Sequence, residues 1–448
     1  MCLYCCEGLF TTVDFFNSPC YILIEEDDMA KLRIKHFGPI TEGCDSDDGF
    51  ITFDKYTLFI GDQGTGKSTV AKLFAICSWL EKAFFRDDYN IDEFDNLDFD
   101  ELCHSQLLNY SFNENTEIEY AGDAYHFLFK KGAFLAEEIK DTIKKYKRPK
   151  IMYIPSERNI LSVVKNIEEL ENLPPMLRLL RKRYLQASES LQNNGLFNLP
   201  LTGYKAMVNK SNGETSVIDE KTGKSVPLIC ASSGLQSIVP STLVTQFLML
   251  QSEQSILEKI RGLSDKNLNQ LQLQLDNETV QDELERYIKS GITKSVSEKS
   301  LKQIESAARK FTNTYFLNIV EEPEQNLFPE SQMKNLAFLL GAANSNDTNK
   351  IVITTHSPYM LSYITLAAKA YELAEKNVPS VEIEKIVSRE SWIDGNKCCF
   401  YQIENGQIKQ LPTFDRGLPS DNNMLNLTLG ESNDKFDQLL DLEEEVAG

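Results

Sequence analysis

The chain is poor in histidine, with four in 448 residues, and its ten cysteines are scattered or crowded near the start. Cys2-x-x-Cys5 has no second pair at metal-site spacing, and Cys6, Cys20, Cys44, Cys77, Cys103 and Cys230 stand without one. That excludes a zinc-finger or ribbon class and reads as reduced thiols in a cytosolic protein. No run reaches about 18 apolar residues, the length that a membrane span needs. The N-terminus shows no basic segment leading into an apolar core, so it does not read as a signal peptide. A cytoplasmic protein with no membrane partner is expected. Sustained heptads are missing, which argues against a long coiled-coil arm. Positive charge is in deficit: the net charge of −21 disfavours attraction of the molecule as a whole to a nucleic-acid backbone.

What is present is a soluble globular composition, 42% hydrophobic and 25% charged. Residues 1–28 read as an N-terminal extension, with Met29 as an alternative start. Residues 29–158 form a first lobe, opening on the alternating strand from Lys31 to Ile40 and carrying the apolar run Tyr56 to Ile60 into a glycine loop. Within it, 86–130 suits a peripheral antiparallel sheet, 135–146 looks helical, and Lys150 to Pro155 reads as a buried strand. Residues 159–310 read as helical insertions, broken by Pro174-Pro175 and by a hairpin over 205–228 with turn signals at Asn212-Gly213 and Thr222-Gly223. Residues 311–375 hold two more apolar strands, and 376–448 read as a β/helical tail. Its last segment, with Phe436, Leu439, Leu440 and Leu442, is amphipathic and is expected to pack on its own head.

Basic residues gather locally. Lys144, Lys145, Lys147, Arg148 and Lys150 crowd one stretch, and Arg178, Arg181, Lys182 and Arg183 follow on an expected helix. Such runs are usually solvated faces. They are also the places where nucleic acid or an acidic partner would be met.

Four motifs carry the chemistry. In the first, Gly61, Asp62, Gln63, Gly64, Thr65, Gly66, Lys67, Ser68 and Thr69 stand between a strand and an amphipathic helix. Its glycines let backbone N–H groups turn around a β-phosphate, Lys67 reaches the β- and γ-phosphates, and the Ser68 hydroxyl suits Mg²⁺. The helix beginning there adds its positive dipole end. The Glu321-Glu322 pair follows the apolar strand ending in Val320. Mg²⁺ held through phosphates wants a carboxylate, assigned to Glu321. The attacking water wants a second one, assigned to Glu322. His356 follows the strand Ile351 to Thr355 and would bond a γ-phosphate. Ser233, Gly234 and Gln236 precede an apolar helical stretch, so the Ser233 hydroxyl and the Gly234 N–H would stand at a helix N-terminus, an anion site.

In this order the motifs resemble Walker A, signature, Walker B and switch histidine of ABC-type ATPases, specifically the soluble branch of SMC-type, RecF-like and OLD-type heads. The likeness covers about half of the chain. It implies an α/β fold: a P-loop NTPase of ABC-ATPase head type, with a mixed β-sheet core, a peripheral antiparallel sheet and a helical insertion. It also implies ATP and Mg²⁺ as cofactors and a homodimer closed head to tail around ATP, with Ser233 of each copy completing its partner's site. Arg158, in Tyr153-Ile-Pro-Ser-Glu-Arg158, occupies the position where related soluble ATPases carry a site-proximal arginine. Leu235 replaces the second glycine of many signatures, and Gln106 is one candidate for the family's Q-loop glutamine.

The resemblance further implies the ATPase component of a DNA-related or anti-phage defence system. The 92 residues that follow His356 hold no acidic constellation suited to a nuclease, so a separate nuclease or toxin effector is expected. Rival readings are a DNA-repair ATPase, an ATP-switched scaffold with negligible turnover, and a transporter subunit, which the helical insert disfavours.

Overall fold

The computed structural model describes residues 29–110, 112–164, 170–192, 195–209, 214–292, 296–414 and 418–447. The expected extension over 1–28 and the Asn212-Gly213 turn lie outside them. In chain order the strands are β1 (Ala30–Lys35), β2 (Gly43–Cys44), β3 (Phe50–Phe53), β4 (Tyr56–Gly61), β5 (Glu117–Ala121), β6 (Tyr125–Lys130), β7 (Ala133–Glu138) and β8 (Pro149–Ile154). They continue with β9 (Leu196–Asn198), β10 (Tyr204–Val208), β11 (Thr215–Asp219), β12 (Ser225–Pro227), β13 (Tyr315–Glu321), β14 (Lys350–Thr355), β15 (Cys398–Glu404) and β16 (Gln407–Gln410).

The centre is a seven-stranded mixed sheet in the order β2-β16-β15-β4-β14-β13-β8. From β15 to β8 every pairing is parallel, and β16 runs antiparallel to β15. β4, β13, β14 and β15 are buried almost end to end, the continuous apolar pattern of parallel strands covered on both faces. Helices Lys67–Phe85, Ser233–Glu253 and Pro329–Asn344 pack on this sheet. Its carboxyl edge, where open α/β sheets hold ligands, therefore collects the phosphate loop after β4, Glu321-Glu322 at the end of β13, His356 after β14 and Arg158 after β8.

A five-stranded antiparallel sheet, β3-β1-β5-β6-β7, lies alongside, and Phe53 of β3 stacks on Phe74 of the helix Lys67–Phe85 with ring centroids 3.5 Å apart. The peripheral sheet is thus present but shifted. The 86–130 stretch also contains a helix, Asn96–Ser105, started by an Asp95 capping box. Of the residues expected as helix, 135–146, the first four belong to β7. The cause is local: Lys131 and Gly132 both take positive φ, 52° and 73°, and close a two-residue hairpin from β6.

The 159–310 region carries more than helices. Strands β9 to β12 make a separate four-stranded antiparallel sheet, with Thr222-Gly223 between β11 and β12. Helices Ile256–Arg261, Asp265–Leu273, Glu278–Ser290 and Glu298–Ala308 enclose a small core of their own around Ile260, Leu271, Leu284 and Ile304. The segment 376–448 is no appendage, because β15 pairs with β4 in the middle of the central sheet. Phe436, Leu439, Leu440 and Leu442 lie on the helix Met424–Ala447 and are exposed, against the expected packing on the head. Among the described residues no helix is long and apolar enough to cross a membrane.

Candidate nucleotide site

The phosphate loop is shaped by close approaches. A Cβ on Gly61 would stand 2.6 Å from the Ile403 carbonyl oxygen of β15 and 2.8 Å from Thr65 Oγ1, so glycine alone lets the two strands meet there. On the other side Ile40 and Pro39 cover Gly66. The turn that carries them is tied to β15-β16, since Thr41 and Glu42 both donate N–H bonds to the Gly406 carbonyl.

Lys67 is buried at the first turn of its helix. Its ammonium donates to the carbonyls of Gly61 and Asp62, at 2.8 and 2.7 Å, and lies 3.4 Å from His356 Nδ1. An ammonium only donates, so Nδ1 accepts and Nε2 carries the ring proton. That proton points at Glu322 Oε1, 3.1 Å away. Burial lowers Lys67 to about 8, opposed by the carboxylates of Glu322 and Glu324. The His356 bond holds Glu322 below the usual carboxylate range.

Glu322 sits just past β13 in a left-handed conformation, φ 42°, uncommon for a residue with a side chain. Its surroundings fix it: its N–H donates to the Thr354 carbonyl at 2.8 Å, and its own carbonyl accepts from Arg158 at 2.7 Å. Such enforced strain concentrates at functional sites. Glu321 is buried, accepting from the Tyr153 hydroxyl at 2.6 Å and the Ser156 N–H at 3.2 Å.

Arg158 is placed differently from the nucleotide contact expected of it. It is fully buried, and its guanidinium donates to the carbonyls of Pro155, Ser237, Glu321 and Glu322. It joins the Glu321-Glu322 loop to the helix Ser233–Glu253 and is a positioning residue. Gln106, at the end of the helix Asn96–Ser105, bonds Ser105.

Ser233 and Gly234 open the helix Ser233–Glu253, as expected. Ser232 and Ser233 are exposed, and Ser232, the N-cap residue, makes no side-chain cap bond. A Cβ on Gly234 would stand 2.8 Å from the Asn326 carbonyl oxygen, so the helix tip lies directly on the loop after Glu322. Leu235, standing where many signatures have a second glycine, is buried in the chain's own core. Gln236 folds back onto the Ile229 carbonyl at 3.0 Å. Pro240 lies inside this helix, and lacking an N–H it leaves the Gln236 carbonyl without its helical donor. The Ser162 hydroxyl takes that place at 2.6 Å.

One residue escaped the sequence reading. Glu324 accepts the His356 N–H and the Thr355 hydroxyl, each at 2.7 Å, while its Oε2 is buried without a partner among the described residues. Burial raises its pKa, favouring the protonated form. The signal was there, a third acid in Glu321-Glu322-Pro323-Glu324, but nothing in sequence shows that this one turns inward.

Among the described residues no cluster of three or more His, Cys, Asp or Glu side chains could hold a metal alone. Magnesium needs no such cage, since it takes one or two protein oxygens together with substrate phosphates and water. The exposed Ser68 hydroxyl on the first helical turn and the Glu321 carboxylate at the end of β13, one strand beyond β14 from the loop, suit that chemistry.

No protein-family model matches the chain, and no curated protein sequence does. Among solved structures it is similar to the SMC head domain from Thermotoga maritima, at 10% identity and a TM-score of 0.33, over 86% of this chain and 98% of that one. An Smc head domain from Pyrococcus furiosus, with an extended coiled coil and bound to the C-terminal domain of ScpA, matches at 10% and 0.33, over 86% and 96%. The ADP conformation of an ATP-binding cassette of an ABC transporter matches at 12% and 0.31, over 87% and 91%. Likeness at this level adds nothing to what strand order and loop geometry establish: an α/β P-loop fold with a mixed central sheet and a peripheral antiparallel one.

Proposed function

We propose that this protein binds ATP with Mg²⁺ and hydrolyses it, as a head of ABC type that pairs head to tail around the nucleotide. The supporting observation is the chain of contacts from Lys67 through His356 to Glu322, which joins residues 289 positions apart at the carboxyl edge of one parallel sheet. Phosphate oxygens would replace the Gly61 and Asp62 carbonyls on Lys67, with the N–H groups of the loop around them. Ser68 and Glu321 would hold Mg²⁺, which when bound neutralises charge on the β- and γ-phosphates. His356 Nε2–H would then donate to a γ-phosphate oxygen, leaving Glu322 to accept from the attacking water. The exposed tip at Ser233 and Gly234 would offer a hydroxyl and helix N–H groups to the nucleotide of a second copy.

Steady-state phosphate release is the test. Turnover by the wild type, lost in Glu322→Gln while ATP binding survives, is expected. No turnover with or without DNA overturns the enzyme reading. It would leave a second one, favoured by the internal pairing of Glu322 with His356: an ATP-switched scaffold with negligible turnover. The wider role, in DNA transactions or anti-phage defence beside a nuclease or toxin, rests on the family resemblance of the motifs. Stimulation of phosphate release by nucleic acid checks it.

A further inference from the structure

The two basic runs, separate in sequence, meet at the outer edge of the central sheet. β8 is the edge strand, and the helix Pro175–Gln192 packs against it. Lys82, in the last turn of the helix Lys67–Phe85, donates to the Pro149 carbonyl at 2.8 Å, between Arg148 and Lys150. Lys150 lies within electrostatic reach of Arg183, Arg148 and Lys182, and Lys82 within reach of Arg148, Lys150, Arg86 and Arg183.

Such a gathering of like charge is costly unless opposed. Arg86 pairs with Asp88, which also lies near Arg148. Lys82, Arg148, Lys150, Lys182 and Arg183 make no ion pair among the described residues. Burial, then the neighbouring cations, push Lys150 down to about 7. Arg148 donates through a terminal nitrogen to the Lys310 carbonyl, which fixes it inside the edge, and Arg183 donates to Gln186 at 2.7 Å, while the Nε–H groups of both find no acceptor among the described residues. A helix C-terminus accounts for one cation, Lys82, but not for the other four. Exposed Lys144, Lys145 and Lys147 continue the positive charge outward along the turn before β8.

We propose that this edge is a phosphate-binding surface, with Lys150 and Arg183 at its centre and Lys147 and Lys182 on its rim, that takes the backbone of a nucleic acid. The centre matches one phosphate, and the exposed lysines leading from it match the repeat of phosphates along a strand. On a molecule of net charge −21 this is a local exception, which confines a polyanion to one face. It gives a place to the nucleic-acid client raised above, and its test is independent of ATP.

Anisotropy of short labelled single- and double-stranded oligonucleotides, without nucleotide, at low salt and along a salt series, measures binding. The wild type should bind, and Lys67→Ala should bind equally well. Lys150→Gln with Arg183→Gln should weaken binding about 10-fold or more and flatten the log–log salt slope by nearly 2, about 0.9 per lost phosphate contact. If that pair impairs folding, Lys147→Glu with Lys182→Glu, both at exposed positions, should produce a similar loss. Calorimetric titration with inorganic phosphate separates the sources. Phosphate binding lost in the central variant, with no oligonucleotide binding, keeps the phosphate site and assigns it to a small anion. Wild-type protein that binds neither probe, or variants that bind oligonucleotide as the wild type does, overturns the proposal.

Discussion

The phosphate loop and the tip of the helix Ser233–Glu253 treat their polar groups in opposite ways. Around the loop the central charged groups are paired within the chain: Lys67 has two carbonyls and His356, and His356 has Glu322. At the tip the serines are exposed and the N-cap hydroxyl makes no cap bond, although capping is the usual role of serine there. One half of the machinery is internally satisfied, whereas the other presents donors outward. If heads pair as proposed, nucleotide binding by the loop can be tested on a single chain, but the tip only in an assembly.

The largest expected effect lies on the satisfied side. Glu322→Gln should lower kcat about 1,000-fold, the scale of losing a positioned base, with ATP affinity retained. Equal losses in affinity and kcat would instead make Glu322 a binding residue. Lys67→Ala should weaken ATP binding by about 100-fold, since a charged hydrogen-bond donor to phosphate is worth about 3 kcal/mol. Unchanged binding removes the loop assignment. On the outward side Ser233→Arg should spare ATP binding by monomers yet abolish ATP-dependent pairing on a sizing column, with turnover down about 10-fold. Persisting dimers would erase the contrast.

The smallest effect tests a group outside both halves. Glu81, on the phosphate-loop helix, is fully buried and accepts from the Tyr120 hydroxyl and from the N–H groups of Ala124 and Tyr125. Burial, reinforced by Asp123, raises its pKa well above 4.5. Its protonated form belongs to the fold, so its contribution is complete below about 4.5 and is lost as pH rises through the raised folded value. Glu81→Gln should therefore resemble the wild type at pH 4.5 and melt about 1–2 °C higher near pH 8. Parallel pH profiles for the two proteins would refute the titration.

The same contrast explains what the sequence made legible. The phosphate loop needs a contiguous set of residues between strand and helix, so local chemistry reveals it. Glu321, Glu322 and His356 were readable because each follows an apolar strand whose carboxyl end must face the loop. Tertiary choices were hidden. No local pattern says that Cys398–Glu404 inserts beside β4, although Asn405-Gly406, with φ values of 51° and 79°, marks the hairpin from β15 to β16. Arg158 looked like a ligand-facing arginine because its sequence cannot show four carbonyls converging on it. The apolar stripe around Phe436 fits a covered helix, and its exposure is decided by what surrounds it.

The helix Ser233–Glu253 runs unbroken through Pro240 and links the exposed tip to the helical bundle. Its first turns are bonded through Ser162 and Arg158 to the turn after β8, and Arg158 holds the Glu322 carbonyl as well. Its far end leads at Ile256 into the helical bundle with a separate core. A proline is where a helix bends most cheaply. Beyond Pro240, however, Leu243, Val244 and Leu248 stay buried in the head core and Thr245 accepts from Asn318 of β13, so a pull on the bundle is passed to the central sheet before it reaches the tip.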